Sequence, residues 1–332
     1  KTTMFRLIKC LREYKKPTVL TLIFIIGEAI IETLIPFITA NLINGIQTGI
    51  SMKRVAVLGI ILILMAMVSL CFGGAAGLTC SKASSGFAKN IRSDVFSRVQ
   101  EFAFQNIDRF SSSSLVTRMT TDVTNVQMAY MMLIRTAVRA PLMLIFSVVM
   151  AFIMGGALAT SFVIIIPVLV FGLLIIAHYA MPAFRAVFRK YDKLNESIEE
   201  NVRGMRVVKG FAREEYEKKK FGKAAENIRA DFTKAERVVA MNTPLMQICV
   251  YFNMVFVLLV GSKLILRYSG TVINVGEISA MLNYGMQILI QLMMLSMVYV
   301  MLTMSGESIK RISEVLDEAS SLTEPENPVF EV

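Results

Sequence analysis

The sequence is poor in the residue types that build metal and redox sites. Among its 332 residues there are one histidine and four cysteines, and tryptophan is absent. The cysteines show no paired metal-ligand spacing and lie in or beside apolar segments, so we interpret them as reduced packing thiols. The single histidine, His178, lies near the end of an apolar run, where a packed or interfacial role is the ordinary interpretation. We therefore expect no metal site.

Charged residues are also missing from stretches long enough to cross a lipid bilayer. Four stretches contain no Asp, Glu, Lys or Arg, and a fifth, Val19–Ile43, is interrupted by only two glutamates. One of the four has room for two helices of about 20 residues, with a glycine pair at positions 155 and 156 where the turn is expected. Soluble domains do not carry such stretches in series. The sequence therefore predicts an all-α membrane protein with six long transmembrane helices. The four uncharged stretches are Val55–Leu78, Ala140–Phe184, Val238–Ser262 and Ile278–Gly306.

The net charge of +10 is distributed unevenly along this predicted arrangement. Of the 35 Lys and Arg residues, 31 lie before the first span, in the segments 81–139 and 182–242, or after the last span. Positively charged segments stay on the cytoplasmic side during membrane insertion. We therefore expect a multi-pass protein of the cell membrane, which we take to be a bacterial plasma membrane, with both termini in the cytoplasm. The same distribution argues against a nucleic-acid partner.

The N-terminal residues 1–16 combine apolar and basic side chains. Met4–Arg12 alternates the two types, which predicts a short elbow helix in the inner membrane interface, with a disordered basic tail as the alternative. The first span is too long for a cleavable signal peptide, and no small-residue cleavage site follows it. Because the chain begins with Lys1, we expect a trimmed or processed N-terminus.

The segments 81–139 and 182–242 keep the residue spacing of helices, with apolar residues recurring at intervals of three and four. Each segment is predicted to be a cytoplasmic hairpin that continues the membrane helices, with arms of about 25 residues and a tip roughly 35–40 Å from the membrane. The outer connections are too short for an extracellular domain. Two such stalks are typical of a protein that a cytoplasmic motor moves.

Three segments resemble the transmembrane domain of ABC superfamily exporters, of the type that exports drugs, lipids or peptides. They are the first tip (residues 109–123, RFSSSSLVTRMTTDV), the second tip (residues 195–221) and the exit segment (Ser305–Glu318). The first tip departs from the family pattern where the usual turn glycine falls near Ser113, although its serines suit the start of the next helix. The residues that match the family pattern are Phe110, Leu115, Arg118 and Asp122 in the first tip, and Val208, Lys209, Phe211, Arg213, Glu214 and Glu217 in the second.

The resemblance implies a six-helix domain, residues 17–318, that functions as a dimer with an identical or related half. In that fold the fourth and fifth helices cross to the partner. The first tip rests on both nucleotide-binding domains, the second docks in the opposite one, and ATP-driven closure turns an inward-open cavity outward. The residues expected to couple the tips to those domains are Phe110, Leu115, Arg118, Asp122, Phe211, Arg213 and Glu214.

A phosphate-binding loop of the form GxxxxGK[ST] is missing from the sequence. We therefore expect no catalytic site and no cofactor in this chain, with ATP and Mg²⁺ bound by a nucleotide-binding domain outside it. Residues 319–332 have the composition of a linker to that domain. A fused downstream ATPase domain is the favoured interpretation, and a natural half that pairs with a separate ATPase subunit is the alternative.

Two groups of polar residues within predicted spans are candidates for a substrate cavity. Glu28 and Glu32 share one helix face at i,i+4, and ionisable groups in a membrane are costly enough to suggest function. They can face a water-filled cavity and favour cationic amphiphiles, hydrogen-bond to a neighbouring helix while protonated, or face the external vestibule. Asn283, Gln287 and Gln291 form a second stripe, for which hydrogen bonding between helices is the alternative.

We expect Arg135 and Arg139, at the start of the third span, to extend towards lipid head groups. Taken together, the sequence favours the membrane domain of an ATP-driven exporter of amphiphilic drugs, lipids or peptides. A non-transporting membrane sensor or a partner-regulated channel on the same scaffold is the alternative.

Overall fold

The computed structural model describes residue 7, residues 9–268 and residues 273–320, and within these ranges every regular element is helical. This confirms the all-α fold class with long apolar helices. Of the predicted elbow Met4–Arg12, residues 4–6 and 8 lie outside the described residues; Lys9–Tyr14 forms a 3₁₀ turn with a kink at Arg12. The linker from residue 321 onward also lies outside them. The helices are α1 (Lys15–Gln47), α2 (Met52–Gln100), α3 (Phe104–Phe110), α4 (Ser112–Thr117), α5 (Val123–Gly155), α6 (Thr160–Arg203), α7 (Met205–Gly210), α8 (Glu214–Ala240), α9 (Asn242–Tyr268) and α10 (Val275–Asp317).

Five helical segments in the described part of the chain are long and apolar enough to cross a membrane. The third of them, Ser114–Phe184, has 71 residues, about 105 Å of helix at 1.5 Å per residue. It contains the uncharged stretch Ala140–Phe184, which the sequence assigns to the third and fourth spans. The helix breaks at Gly156, whose φ of 47° and ψ of −118° are not helical, and a 3₁₀ turn, Gly156–Ala159, follows. The break lies at the predicted glycine pair, and the count of six spans is our interpretation of it.

The chain divides into two compact units. The first unit runs to Thr160 and resumes at Val257, and the second is Ser161–Phe256. In the first unit, α10 packs on α1 and α5, and the Tyr284 hydroxyl donates to the Thr33 carbonyl oxygen at 2.8 Å. At the start of α10, the Gly276 amide donates to Asn44 Oδ1 near the end of α1, also at 2.8 Å. The largest fully buried side chains of this unit include Ile25, Ile91, Met143, Met281, Tyr284, Ile288 and Leu289.

In the first unit, the C-terminal half of α2 and the N-terminal half of α5 form an antiparallel pair. The rings of Phe87 and Tyr130 lie 4.4 Å apart, and Arg92 donates to Thr124 Oγ1 at 3.3 Å. In each contact, the sequence midpoint of the two residues lies close to Ile107. The chain therefore reverses its direction at α3 and α4. Side chains from the N-terminal turn and from the end of α10 complete the core of this hairpin. That core includes Cys10, Leu11, Phe87, Ile91, Val95, Val126, Ile309 and Ile312.

Helices α6 and α8 form a second antiparallel pair, inside the second unit. The Phe184 and Phe232 rings meet edge to face at 5.9 Å, and Asn201 donates to Glu217 at 2.8 Å. In each contact, the sequence midpoint of the two residues lies close to Lys209. The chain therefore reverses its direction at α7. Further up the pair Lys190 hydrogen-bonds to Asp231 and thereby lowers the pKa of that carboxyl group.

Candidate functional site

The first tip is held against its own chain. Ser111 has a φ of 57°, and its hydroxyl accepts from the Ser114 amide at 3.4 Å, so the serine run caps α4 as its composition predicts. The Phe110 ring is half-buried and stacks on Phe102 at 5.8 Å with an angle of 8° between the planes. Leu115 is buried in the core of the hairpin. These two apolar residues of the tip pack within the chain, and their contact with a nucleotide-binding domain stays a prediction.

Arg118 and Asp122 delimit a π-helical turn between α4 and α5. Their side chains are 10% and 0% exposed, and both contact the exit segment at the end of α10. Asp122 Oδ1 accepts hydrogen bonds from the Ser308 hydroxyl and from Arg311, each at 2.8 Å. Arg118 donates to the Arg311 carbonyl oxygen and lies 3.2 Å from a Glu314 carboxylate oxygen. These contacts therefore join the first tip to the exit segment, although the two lie nearly 200 positions apart in the sequence.

Contacts on either side extend this junction. Arg109 pairs with Glu318 at 2.7 Å, and the Asn106 amide donates to the same carboxylate at 3.2 Å. On the other side, Asn125 donates to the Ser308 hydroxyl at 3.2 Å. The first tip thus meets the exit segment over its last three turns.

The second tip has the opposite character. Phe211 is 76% exposed and directly precedes Ala212, which has a φ of 48°. Val207 on α7 is exposed as well. Arg213 is exposed, and Glu214 opens α8 with an acidic first turn, where negative charge is favourable next to the helix amides. The second tip therefore presents an apolar surface with charged residues beside it.

Glu28 and Glu32 meet a basic residue that the sequence pattern did not pair with them. The Arg139 guanidinium lies 2.5 Å from Glu32 and 3.5 Å from Glu28. The side chain of Glu28 is 14% exposed and those of Glu32 and Arg139 are each 30% exposed. A Cβ atom at Gly73 would lie 3.1 Å from Glu28, so the absence of a side chain there makes room for the carboxylate. The expectation that Arg139 reaches lipid head groups is wrong, because its guanidinium turns to these two carboxylates.

One hydrogen bond near the start of the first span gives the depth of this charged cluster. Thr18 and Tyr130 share a hydrogen bond of 2.8 Å, which places them at one level. Glu28 lies ten residues beyond Thr18 and Arg139 nine residues beyond Tyr130, so both are roughly 13–15 Å further along their helices. A hydrocarbon core is about 30 Å thick. The cluster therefore lies close to the middle of the predicted bilayer.

The polar stripe on α10 separates into three environments. Asn283 is exposed and donates to the Ser279 carbonyl oxygen of its own helix at 2.9 Å. Gln287 is half-buried and accepts a hydrogen bond of 2.9 Å from Ser147 on α5. Gln291 is buried. Hydrogen bonding between helices accounts for Gln287, and a role in a substrate cavity stays a prediction for all three residues.

Comparison with known proteins places this architecture in a family. Residues 18–306 match the ABC transporter transmembrane region. The chain belongs to this family. It is 27% identical to the uncharacterized ABC transporter ATP-binding protein YfiB of Bacillus subtilis over 95% of its own length and 54% of that protein. Identity to the uncharacterized ABC transporter ATP-binding protein MT1311 of Mycobacterium tuberculosis is 26%, over 96% of the chain and 54% of that protein. The chain thus spans about half the length of these curated relatives.

In this ABC transporter transmembrane region, sequence reasoning missed Arg139, Ser308, Arg311 and Glu314 as partners of the candidate residues. Arg139 carried a usable signal, because its predicted depth matches that of Glu28. The exit-segment residues carried a weaker one: Ser308, Arg311 and Glu314 recur every three positions, which places them on one helix face. Among the described residues, no group of three or more His, Cys, Asp or Glu is placed to hold a metal ion.

Proposed function

We propose that this ABC transporter membrane domain belongs to an ATP-driven exporter that moves amphiphilic substrates out of the cytoplasm by alternating access. The observation that carries the proposal is the second tip. Phe211 and Val207 stand exposed at the end of a helical hairpin, an arrangement that fits a surface covered by another protein. In an exporter that protein is the nucleotide-binding domain, which binds ATP and Mg²⁺ and pushes on the tip when it closes.

The division of the chain into two units supports a domain-swapped dimer. The second unit contains α6, α7, α8 and the first half of α9, which are the helices that cross to the partner in exporters of this type. An identical or related half would supply the surface that these crossing helices contact. A second domain-swapped copy would also bring each second tip to the opposite nucleotide-binding domain.

The charged cluster supports an amphiphilic substrate class. Two carboxylates face one guanidinium among apolar helices, so the cluster combines a polar group with apolar surroundings. If both glutamates are ionised, they exceed Arg139 by one negative charge, which favours amphiphiles with a cationic group.

The test uses the full-length protein, with its ATPase domain or subunit, reconstituted in lipid vesicles. ATP-dependent uptake of amphiphilic dyes into inside-out vesicles is the expected result, and Phe211→Ala should lower uptake per ATP hydrolysed. Phe221→Ala, which truncates another exposed ring of the same hairpin away from its tip, is the matched control. ATP hydrolysis without vectorial uptake of any tested amphiphile would contradict the proposal.

A further inference from the structure

The exit segment presents one charged face to the first tip. Ser308, Arg311, Glu314 and Glu318 follow one another at intervals of three, three and four, so they lie along one side of α10 and its end. Each of them contacts a residue in or beside the first tip. The charges balance in three pairs: Arg109 with Glu318, Arg118 with Glu314, and Asp122 with Arg311.

Burial excludes Arg118 and Asp122 as direct contacts of another domain in this conformation. Asp122 is fully buried and Arg118 nearly so, whereas Phe104 and Val116 of the same region are exposed. A nucleotide-binding domain that touches the first tip would therefore meet the exposed residues. The two charged residues of the family pattern face the chain itself.

The junction is not built for stability alone. Within the described part of the chain, Asp122 Oδ2 and Arg311 Nε are buried without a hydrogen-bond partner. Replacing a buried ion pair by apolar packing is often neutral or stabilising, so such a network is weak evidence for stability, and in some proteins it specifies the arrangement of the elements that it joins. A fixed register between the first tip and the exit segment is what this arrangement provides.

We propose that Arg118 and Asp122 are positioning residues that lock the first tip to the exit segment of the same chain, so that the two move as one lever. The proposal rests on the proposed function, in which a nucleotide-binding domain pushes on the membrane domain. The exit segment lies directly before the predicted linker, and the first tip connects α2 to α5. If the first tip or the exit segment is displaced, α2, α5 and α10 then move together.

The decisive experiment is a disulfide lock in the full-length protein. Asn125 Nδ2 and Ser308 Oγ lie 3.2 Å apart, so cysteines at these two positions can be joined by a short bis-methanethiosulfonate cross-linker, which forms a reducible disulfide with each cysteine. The four native cysteines are replaced by alanine beforehand. We expect cross-linking to proceed at the same rate with and without ATP and vanadate, and the locked protein to keep the transport activity that the same cysteine variant has when it is reduced. A rate that falls severalfold with nucleotide, or transport that is lost on locking and restored by reduction, would overturn the lever.

A second experiment tests the charge. Asp122→Asn should lower transport per ATP hydrolysed by roughly tenfold, the loss expected when a buried charged hydrogen bond is weakened. Asp122→Glu, which keeps the negative charge, should recover part of the lost transport per ATP hydrolysed. Glu226→Gln removes an acid from an exposed pair with Arg229 and is the matched control. A folded Asp122→Asn variant with the coupling ratio of the parent would refute the positioning role. If the full-length protein with its native cysteines shows no ATP-driven uptake, the exporter function fails, and the comparison of cross-linking rates still tests the lever.

Discussion

Replacing Arg139 with methionine should destabilise the membrane domain, because it leaves Glu28 and Glu32 without their cation near the middle of the bilayer. Breaking a fully buried ion pair from one side costs about 3–5 kcal/mol. Glu32 and Arg139 are each 30% exposed, so the chain encloses this ion pair only in part. We therefore expect a loss of about 1–3 kcal/mol, after allowance for screening.

Removing all three charges should reverse most of this loss. In Glu28→Gln, Glu32→Gln, Arg139→Met, no charge remains to be compensated, and the two amides can still hydrogen-bond. Stability is measured by thermal unfolding in detergent with a thiol-reactive dye that reports the buried cysteines at positions 10, 80 and 249. The single variant should melt several degrees below the parent, and the triple variant should return to within about 1 kcal/mol of it.

Arg135→Met is the matched control, because Arg135 lies one turn away on the same helix and is exposed. Its melting temperature should stay close to that of the parent. The reasoning is refuted if Arg139→Met and Arg135→Met behave alike, or if neutralising the glutamates lowers the stability of the Arg139→Met variant further.

Three further predictions address selectivity, nucleotide binding and packing. Glu28→Gln with Glu32→Gln should reduce uptake of cationic amphiphiles by the full-length protein and spare neutral ones, and equal uptake of both classes would contradict the cavity role; some loss of stability is also expected, because Arg139 then lacks its partners. Calorimetric titration of the 332-residue chain with ATP should be flat, because the sequence contains no phosphate loop, and saturable micromolar binding would be inconsistent with that assignment. Gly276→Ala should cost about 1–3 kcal/mol, because its Cβ would collide with the Ala40 carbonyl oxygen and the Asn44 side chain. Gly59→Ala, with open space around it inside α2, should not lower stability in the same melting assay, because alanine is favoured over glycine within a helix by about 0.5–1 kcal/mol.

The large features of the fold were predictable because they depend on local sequence. Uncharged stretches of membrane length and the glycine pair at 155 and 156 identify the spans and the break at Gly156 without reference to any partner. The serine run before Leu115 likewise identifies a helix start, and Ser111 supplies the cap.

The contacts that define the site depend on which helix faces which, and this information is not local. Arg139 has the same hydropathy whether it faces lipid or Glu32, and its orientation follows from the packing of α5 against α1. The partners of Arg118 and Asp122 lie 186 to 196 positions away. A single sequence shows the motif but not the surface that the motif binds.

The hydrogen bond between Tyr284 and Thr33 has a consequence for biosynthesis. It spans 251 positions, and the buried Tyr284 ring belongs to the last long helix of the chain. Contacts of such high contact order form late, because a ribosome delivers the chain from the N-terminus and the ends must meet before they stabilise each other. The second unit, Ser161–Phe256, is contiguous and completes its own contacts earlier. Until α10 has been inserted, the surface of α1 that faces Tyr284 stays uncovered. During that interval, this surface is accessible to chaperones and to quality-control proteases.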